Sequence, residues 1–311
     1  MKHKAVVVVG PTASGKTALA VHIAEMFNGE VISADSMQIY RGMDISTAKP
    51  TQEEMNGIKH YLIDFLDITE KYSVSDFCSD ARKAFDNIVS RGKLPIIAGG
   101  TGLYIDSFVT NTLFLDDGAS NEVREALKTE LEQRGIDSLY DELKRVDPVA
   151  AEKIHPNNQK RVLRALEVYR ATGLTITKQA ELSHNVASDI EPLFIGITFS
   201  EREKLYERIN KRVDLMVENG LLNEAESFFN SSPSDTAFMA IGCKELKPYF
   251  DGVKALDQCL ADLKQSTRRY AKRQITWFKR NTDINWLYPD LDGYDGILKK
   301  ADLLIKNFLE G

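Results

Sequence analysis

The first hundred residues alternate between apolar runs and amphipathic stretches. The apolar runs have the length and β-branched character of buried strands, at Ala5–Val9, Glu30–Ser36, Tyr61–Leu66 and Leu94–Ala98. Helical spacing of apolar residues lies between them, at Ala18–Ala24 and about Val74–Val89. Strands that alternate with helices predict an α/β fold with a doubly wound parallel sheet, whose ligands bind at the carboxyl ends of the strands.

The pattern changes between about Asp116 and Asp189, where no strand pattern occurs and helices are predicted at about 123–135, 139–146 and 161–169. Leu193–Phe199 then restores a strand, which we expect to be the last of the sheet. The remainder is predicted to be helical, at Arg202–Asn219, Leu222–Phe229, Ala240–Phe250 and about Val253–Arg280. The expected organisation is an α/β core at 1–115, an all-helical insertion at 116–190, and the last core strand with a helical C-terminal region at 191–311.

A phosphate-binding P-loop, Gly-x-x-x-x-Gly-Lys-Thr, joins the first predicted strand to the first predicted helix. Its glycines let successive N–H groups point inward at an anion, and the helix N-terminus adds a favourable dipole. The lysine supplies a positive charge and the threonine a hydroxyl for Mg²⁺. The sequence therefore predicts binding of a phosphorylated molecule by Gly10, Pro11, Thr12, Ala13, Ser14, Gly15, Lys16 and Thr17.

Composition narrows the class of protein. Apolar residues make up 43% and charged residues 28% of the 311, which is the average for globular proteins. There is no apolar run long enough to span a membrane and no signal-peptide core, and the three cysteines are scattered, so we expect a cytoplasmic protein. The net charge of −6 disfavours nucleic acid as a partner, but Lys264–Thr282 holds seven basic residues and no acidic one. A phosphate backbone responds to such a local patch.

Three further groups could carry chemistry. Asp35 ends a strand beside the P-loop, where it could act as a general base, cap the next helix or hold Mg²⁺ through water. Gly99–Gly102 is predicted to form a second flexible turn at a strand end, either a plain turn or a ligand-binding loop in which Thr101 could hydrogen-bond a substrate. Arg208 and Arg212 share one helix face and could clamp a diphosphate, or could be two solvated arginines.

The basic stretch has two helical faces. Ala271, Ile275 and Phe278 form an apolar stripe, and the basic residues fall together on another face: Arg269, Lys272, Arg273, Lys279 and Arg280. A solvated helix normally mixes in acidic residues, so this face favours binding of a polyanion. A second basic surface for the same polyanion could be formed by three residues of the insertion, Lys160, Arg161 and Arg164.

With these residues in hand, the chain closely resembles the bacterial tRNA dimethylallyltransferases. The matching segments follow the order of the family along nearly the whole chain: Gly10–Thr17, Asp35-Ser36, Ile39–Ile45, Thr47–Pro50, Gly99–Tyr104, Asp147-Pro148, His155–Asn157, Arg164–Val168, Ala240–Gly242 and Ala271–Phe278. One departure is Cys243-Lys244, where the family usually has Tyr-Arg. Because lysine cannot form a bidentate fork, a tRNA contact there would be weaker.

The resemblance implies a P-loop NTPase-like core that transfers a dimethylallyl group from dimethylallyl diphosphate to the N6 amine of an adenosine beside the anticodon. It implies catalytic roles for Asp35, Lys16, Arg208, Arg212 and Thr101, and Mg²⁺ at Thr17. It implies contacts with the anticodon arm of tRNA by Asp35, Ser36, Met37, Gln38, Thr101, Arg124, Gln159, Lys160, Arg161, Arg164, Lys244, Arg269, Lys272 and Arg273. Neither a membrane nor a protein partner is implied.

Two rivals share the P-loop. A small-molecule or nucleotide kinase would also use Mg²⁺ and a base after the second strand, but it has no need for a basic helix without acidic residues. A non-catalytic nucleotide switch would bind nucleotide and a partner. Both rivals require tight binding of nucleoside triphosphate without RNA.

Overall fold

The computed structural model describes residues 2–114, 121–183 and 187–311, and its strands in these ranges all belong to one sheet. They are β1 (His3–Val9), β2 (Gly29–Ser33), β3 (His60–Tyr61), β4 (Leu94–Gly99), β5 (Ile190–Ile197) and β6 (Asn285–Leu287). Their order is β3-β2-β4-β1-β5-β6, and all neighbours are parallel. The predicted parallel sheet is confirmed.

The helices of the same ranges are α1 (Lys16–Met26), α2 (Gln52–Met55), α3 (Val74–Ser90), α4 (Gly102–Val109), α5 (Asn121–Val146), α6 (Pro148–Lys153), α7 (Gln159–Thr172), α8 (Ile176–Ser183), α9 (Arg202–Glu218), α10 (Leu221–Asn230), α11 (Asp235–Phe238), α12 (Cys243–Phe250), α13 (Leu256–Phe278) and α14 (Pro289–Glu310). None of them is long and apolar enough to cross a membrane. By its internal contacts the chain forms one compact unit from residues 1–109 with 189–311 and a second from residues 110–188.

The sheet is covered on both faces, which explains why β1 is continuously apolar. Val6 and Val8 pack with residues of α1 and α14 on one face. Val7 and Val9 pack with residues of α3 and α4 on the other. Because both faces are buried, the carboxyl ends of the strands are the part of the sheet where polar loops gather.

The second unit has its own apolar core, formed by α5, α6 and α7. The first of these helices is broken at Gly135, which has a left-handed φ of 73°, as the sequence predicted. Arg170 bridges Glu130 and Glu142 with distances of 2.7 Å to each. The regular secondary structure among the unit's described residues is entirely helical, and the predicted boundary at 115/116 lies outside them.

Three sequence predictions about elements are wrong. The strand expected at Tyr61–Leu66 is only His60–Tyr61, because Leu62 and Asp64 take left-handed φ values of 58° and 55° and turn the chain. The strand at Leu193–Phe199 is not the last: β6 adds a sixth, too short to give a periodic pattern, and α14 follows it. The helix expected from Ala240 begins at Cys243, after a glycine with a φ of 123°.

Candidate active site

The P-loop joins β1 to α1 with the backbone that an anion cradle needs. Gly10, Ala13 and Gly15 have φ values of 152°, 64° and 102°, so the chain curls within six residues. A Cβ on Gly10 would lie 2.2 Å from the carbonyl oxygen of Ile197, which leaves room for glycine alone. The Ser14 hydroxyl is buried and has no hydrogen-bond partner among the described residues. A phosphate oxygen would supply one.

Lys16 lies at the start of α1, and its Nζ donates to the Pro11 carbonyl oxygen at 2.7 Å. Burial, with a smaller effect of the positive charge of Arg212, lowers the pKa of this amine to about 8, while the Asp35 carboxylate opposes both. A buried lysine that shares its surroundings with an arginine is destabilised as a cation. Binding a diphosphate would reverse that effect.

Asp35 lies two residues beyond the end of β2. Its Oδ1 accepts from the N–H groups of Met37 at 2.9 Å and Gln38 at 3.4 Å, so it holds a turn rather than capping a helix. Burial raises the pKa of the carboxyl group, although these N–H groups and Lys16 favour the charged form. Both hydrogen bonds use one oxygen. Among the described residues Oδ2 is therefore the oxygen available to a substrate.

The two arginines of α9 lie near the P-loop; Arg208 is exposed to solvent and Arg212 is partly buried. Arg208 donates from Nε to the Ala13 carbonyl oxygen at 2.9 Å, and its guanidinium lies 5.4 Å from the centroid of the Phe199 ring. Burial and the charge of Arg208 lower the pKa of Arg212. Together with Lys16, which also interacts with the Asp35 carboxylate, they form a group of three cations beside the P-loop. Such an excess of positive charge suits a diphosphate.

The end of β4 is not the flexible turn that the sequence suggested. Gly99 and Gly100 lack positive φ values, and a Cβ on them would lie 2.1 Å from the Ala34 carbonyl oxygen and 2.1 Å from Nε2 of Gln274, respectively. The glycines are therefore required by close packing. Between them and α4, Thr101 accepts from the Ser36 N–H at 3.1 Å and fixes the residue beside Asp35.

Two residues that the resemblance implies for tRNA contact, Gln38 and Met37, make contacts within the fold. The Gln38 amide donates to the carbonyl oxygens of Thr47 at 3.2 Å and Ala48 at 3.1 Å. Met37 packs partly buried against the apolar core. Lys244 is also engaged, with its Nζ 3.4 Å from the Met239 carbonyl oxygen.

Helix α13 has the two predicted faces. Ala271 and Phe278 are buried and Ile275 is partly so, whereas Arg269, Lys272 and Arg273 are exposed. Two basic residues at the start of the stretch have partners within the fold. Lys264 pairs with Asp214 at 2.5 Å, and Arg268 donates to Asn210 at 2.6 Å.

Sequence reasoning missed two residues of α13. Gln274 is buried in the apolar stripe, accepts from the Thr12 N–H at 2.9 Å and donates to the Gly100 carbonyl oxygen at 3.0 Å. Burial and the charge of Asp35 raise the pKa of Tyr270, whose hydroxyl interacts with Thr101. A polar residue inside an apolar stripe was the available signal for Gln274.

Within the helical unit, the residues predicted to contact tRNA fall into two groups. Gln159, Lys160 and Arg161 are exposed in the first turn of α7. Arg124 and Arg164 both contact the buried Glu167, at 2.6 and 3.3 Å. The first group is free to meet a phosphate backbone, whereas a contact by the second would compete with the glutamate.

Comparison with known proteins identifies the family. A family model described as IPP transferase matches residues 38–281. The tRNA dimethylallyltransferase of Acetivibrio thermocellus is 49% identical over 305 residues, 97% of each chain, and that of Halalkalibacterium halodurans is 45% identical over 100% of this chain and 98% of its own. The crystal structure of tRNA isopentenylpyrophosphate transferase from Bacillus halodurans superposes with a TM-score of 0.75 at 43% identity, covering 99% of this chain and 97% of that one. A eukaryotic dimethylallyltransferase acting on tRNA gives a TM-score of 0.84 at 31% identity, covering 99% and 79%. The chain therefore belongs to the tRNA dimethylallyltransferase family.

Proposed function

We propose that the protein transfers a dimethylallyl group from dimethylallyl diphosphate to the exocyclic N6 amine of an adenosine adjacent to the anticodon of tRNA, with release of diphosphate. The observation that carries this proposal is the group of three cations at the P-loop, of which Lys16 interacts with the acid Asp35, in the same compact unit as an exposed basic helix face. Since tRNA is the substrate, we place the protein in the cytoplasm.

The P-loop holds the diphosphate of the prenyl donor rather than a nucleotide. Its N–H groups and the Ser14 hydroxyl recognise phosphate oxygens, whatever group the phosphate carries. Lys16 and Arg208 both donate to the backbone of the loop, at the Pro11 and Ala13 carbonyls. Both cations can therefore neutralise charge that builds on the departing diphosphate.

Asp35 acts as the general base. Its Oδ1 is held by two N–H groups, and Oδ2 accepts a proton from the adenine amine while the amine nitrogen attacks the allylic carbon. The carbon–oxygen bond to the diphosphate breaks with its electron pair leaving on oxygen. The raised pKa of the buried carboxyl group brings its basicity closer to neutral pH, which favours proton transfer.

A magnesium ion fits beside the P-loop through Thr17. This hydroxyl lies half-buried at the start of α1 and makes no hydrogen bond among the described residues. No group of three or more acidic, histidine or cysteine residues in the same ranges forms a metal cage. Mg²⁺ commonly takes few protein ligands and completes its shell with substrate phosphates and water. When bound, it would neutralise charge on the diphosphate.

The target adenine must leave the anticodon stack to reach the allylic carbon. Thr101 and Tyr270 lie beside Asp35, where the flipped base would enter. The exposed Arg269, Lys272 and Arg273 of α13 bind the phosphates of the anticodon arm, as do Gln159, Lys160 and Arg161 of the helical unit.

The test is a transfer assay with purified protein, Mg²⁺, labelled dimethylallyl diphosphate and unmodified tRNA, run beside labelled ATP. We expect label in tRNA, with ATP neither hydrolysed nor required. Turnover of ATP with no label in tRNA would refute the proposal and indicate a kinase instead.

A further inference from the structure

Helix α13 presents different chemistry on its two sides, and Gln274 is the polar residue on the inner side. Its neighbours in the stripe are apolar, and its side chain is 5% exposed. One turn away at most, Lys272 and Arg273 are exposed on the outer side. The side chain that faces the catalytic loops therefore belongs to the same helical turn as the proposed RNA contacts.

The Gln274 amide ties together two loops that bind different substrates. Oε1 accepts from the Thr12 N–H inside the P-loop, and Nε2 donates to the Gly100 carbonyl oxygen at the end of β4. The next residue, Thr101, accepts from Ser36 beside Asp35. The prenyl-donor loop and the loop beside the general base are thus joined through one side chain.

The close packing around this contact leaves little room for α13 to move relative to the two loops. A Cβ on Gly100 would lie 2.1 Å from Nε2 of Gln274, so the amide packs directly against the Gly100 backbone. Ala271, one turn earlier, packs in the same cluster as Ala13 of the P-loop. A small movement of α13 would therefore alter both hydrogen bonds instead of being absorbed by a flexible side chain.

We propose that Gln274 is a positioning residue that couples binding of tRNA on α13 to the geometry of the P-loop and of the loop beside Asp35. The proposal rests on the proposed function. In physical terms, RNA on the outer face fixes the helix, and the amide then holds the Thr12 and Gly100 backbones in the arrangement that binds the prenyl donor. The coupling is reciprocal, so the prenyl donor also tightens binding of RNA.

The test compares Gln274→Met with a matched control, Gln265→Met, which removes the same amide from an exposed position on α13. The affinity for dimethylallyl diphosphate is measured alone and with an anticodon stem–loop whose target adenine is replaced by purine. Purine lacks the exocyclic amine, so no transfer occurs during the measurement. The ratio of the two dissociation constants is the coupling factor.

We expect the stem–loop to tighten binding of the prenyl donor in the wild type and in Gln265→Met. In Gln274→Met we expect a coupling factor near one and prenyl-donor affinity weakened about tenfold, the effect of a buried group left without its partner. A coupling factor of one in the wild type, or an unchanged factor in folded Gln274→Met, would overturn the proposal. Absence of prenyl transfer by the wild type to the natural stem–loop would instead overturn the proposed function.

A second variant keeps the test decisive if Gln274→Met does not fold. Gln274→Glu retains an oxygen for the Thr12 N–H but cannot donate to the Gly100 carbonyl while it is ionised. We expect its KM for the prenyl donor to change little and its kcat to fall, because only the loop beside Asp35 loses its hydrogen bond. Equal loss in both parameters would mean that the amide serves stability alone.

Discussion

We predict that the affinity for the prenyl donor depends on pH near 8, because of the Lys16 amine. Burial and the charge of Arg212 hold its pKa near 8 rather than 10.5. The protonated amine binds diphosphate, so affinity is full below this pKa and is lost as the pH rises through it. The pKa of Tyr270 is raised, away from this range, so its hydroxyl contributes no competing titration.

The expected magnitude follows from the fraction of protonated amine. With a pKa of about 8, about 90% of Lys16 carries its proton at pH 7 and about 10% at pH 9. The apparent dissociation constant for dimethylallyl diphosphate should therefore rise about tenfold between these values, which is about 1.4 kcal/mol. An unperturbed lysine would give almost no change in the same interval.

The assay is calorimetric titration with dimethylallyl diphosphate at fixed Mg²⁺, without tRNA, from pH 7 to 9.5. Lys16→Met is the control and should bind weakly at every pH, with no slope. Asp35→Asn should shift the midpoint below that of the wild type, because the carboxylate that favours the charged lysine is lost. A flat wild-type profile, or a slope that persists in Lys16→Met, would refute this explanation of the site.

Three other predictions concern catalysis, RNA binding and stability. Asp35→Asn keeps the Oδ1 acceptor but removes the base, so single-turnover transfer should slow by about two to four orders of magnitude with RNA affinity nearly intact; equal rates would remove Asp35 from the mechanism. Replacing Lys272 and Arg273 by alanine should reduce the slope of log K against log salt concentration for tRNA binding by about two. Lys264→Ala is the control and should leave this slope unchanged, because Lys264 pairs with Asp214 within the fold. An unchanged slope in the double variant would show that the outer face is merely solvated. Gly102→Ala would place its Cβ 2.2 Å from the indole of α13, so the free energy of unfolding should fall by about 1–3 kcal/mol in a denaturant titration; unaltered stability would contradict the packing argument.

The parallel sheet could be predicted because its central strands are apolar on both faces, a pattern that few other elements share. The edge strands could not. Tyr61–Leu66 is as apolar as a strand, yet left-handed residues turn it after two positions, and single-sequence patterns do not indicate which residues will take that conformation. The three residues of Asn285–Leu287 are too few to show a period.

The site was predictable where a residue type has a known task at a known position. Lys16 and Asp35 follow from the P-loop and from the end of β2, and the arginines of α9 follow from their four-residue spacing. Gln38 shows the limit of this reasoning. A glutamine beside a general base suggests contact with a substrate, but its amide donates to the backbone carbonyls of Thr47 and Ala48 in the following loop.

The glycines after β4 and the glutamine of α13 explain one another, and neither could be interpreted alone. Glycine in Gly-Gly-Thr-Gly suggests a mobile turn, and a glutamine among apolar residues suggests an imperfect stripe. In the fold, the Gln274 amide packs against Gly100 and the Trp277 indole packs against Gly102, so neither position has room for a Cβ atom. The indole Nε1 of Trp277 also donates to Asp106 at 2.8 Å, which secures the C-terminal turns of α13 to α4. A helix held this closely to the catalytic loops cannot respond to RNA independently of them, and that constraint is the physical basis for assigning Gln274 a role in the reaction as well as in the fold.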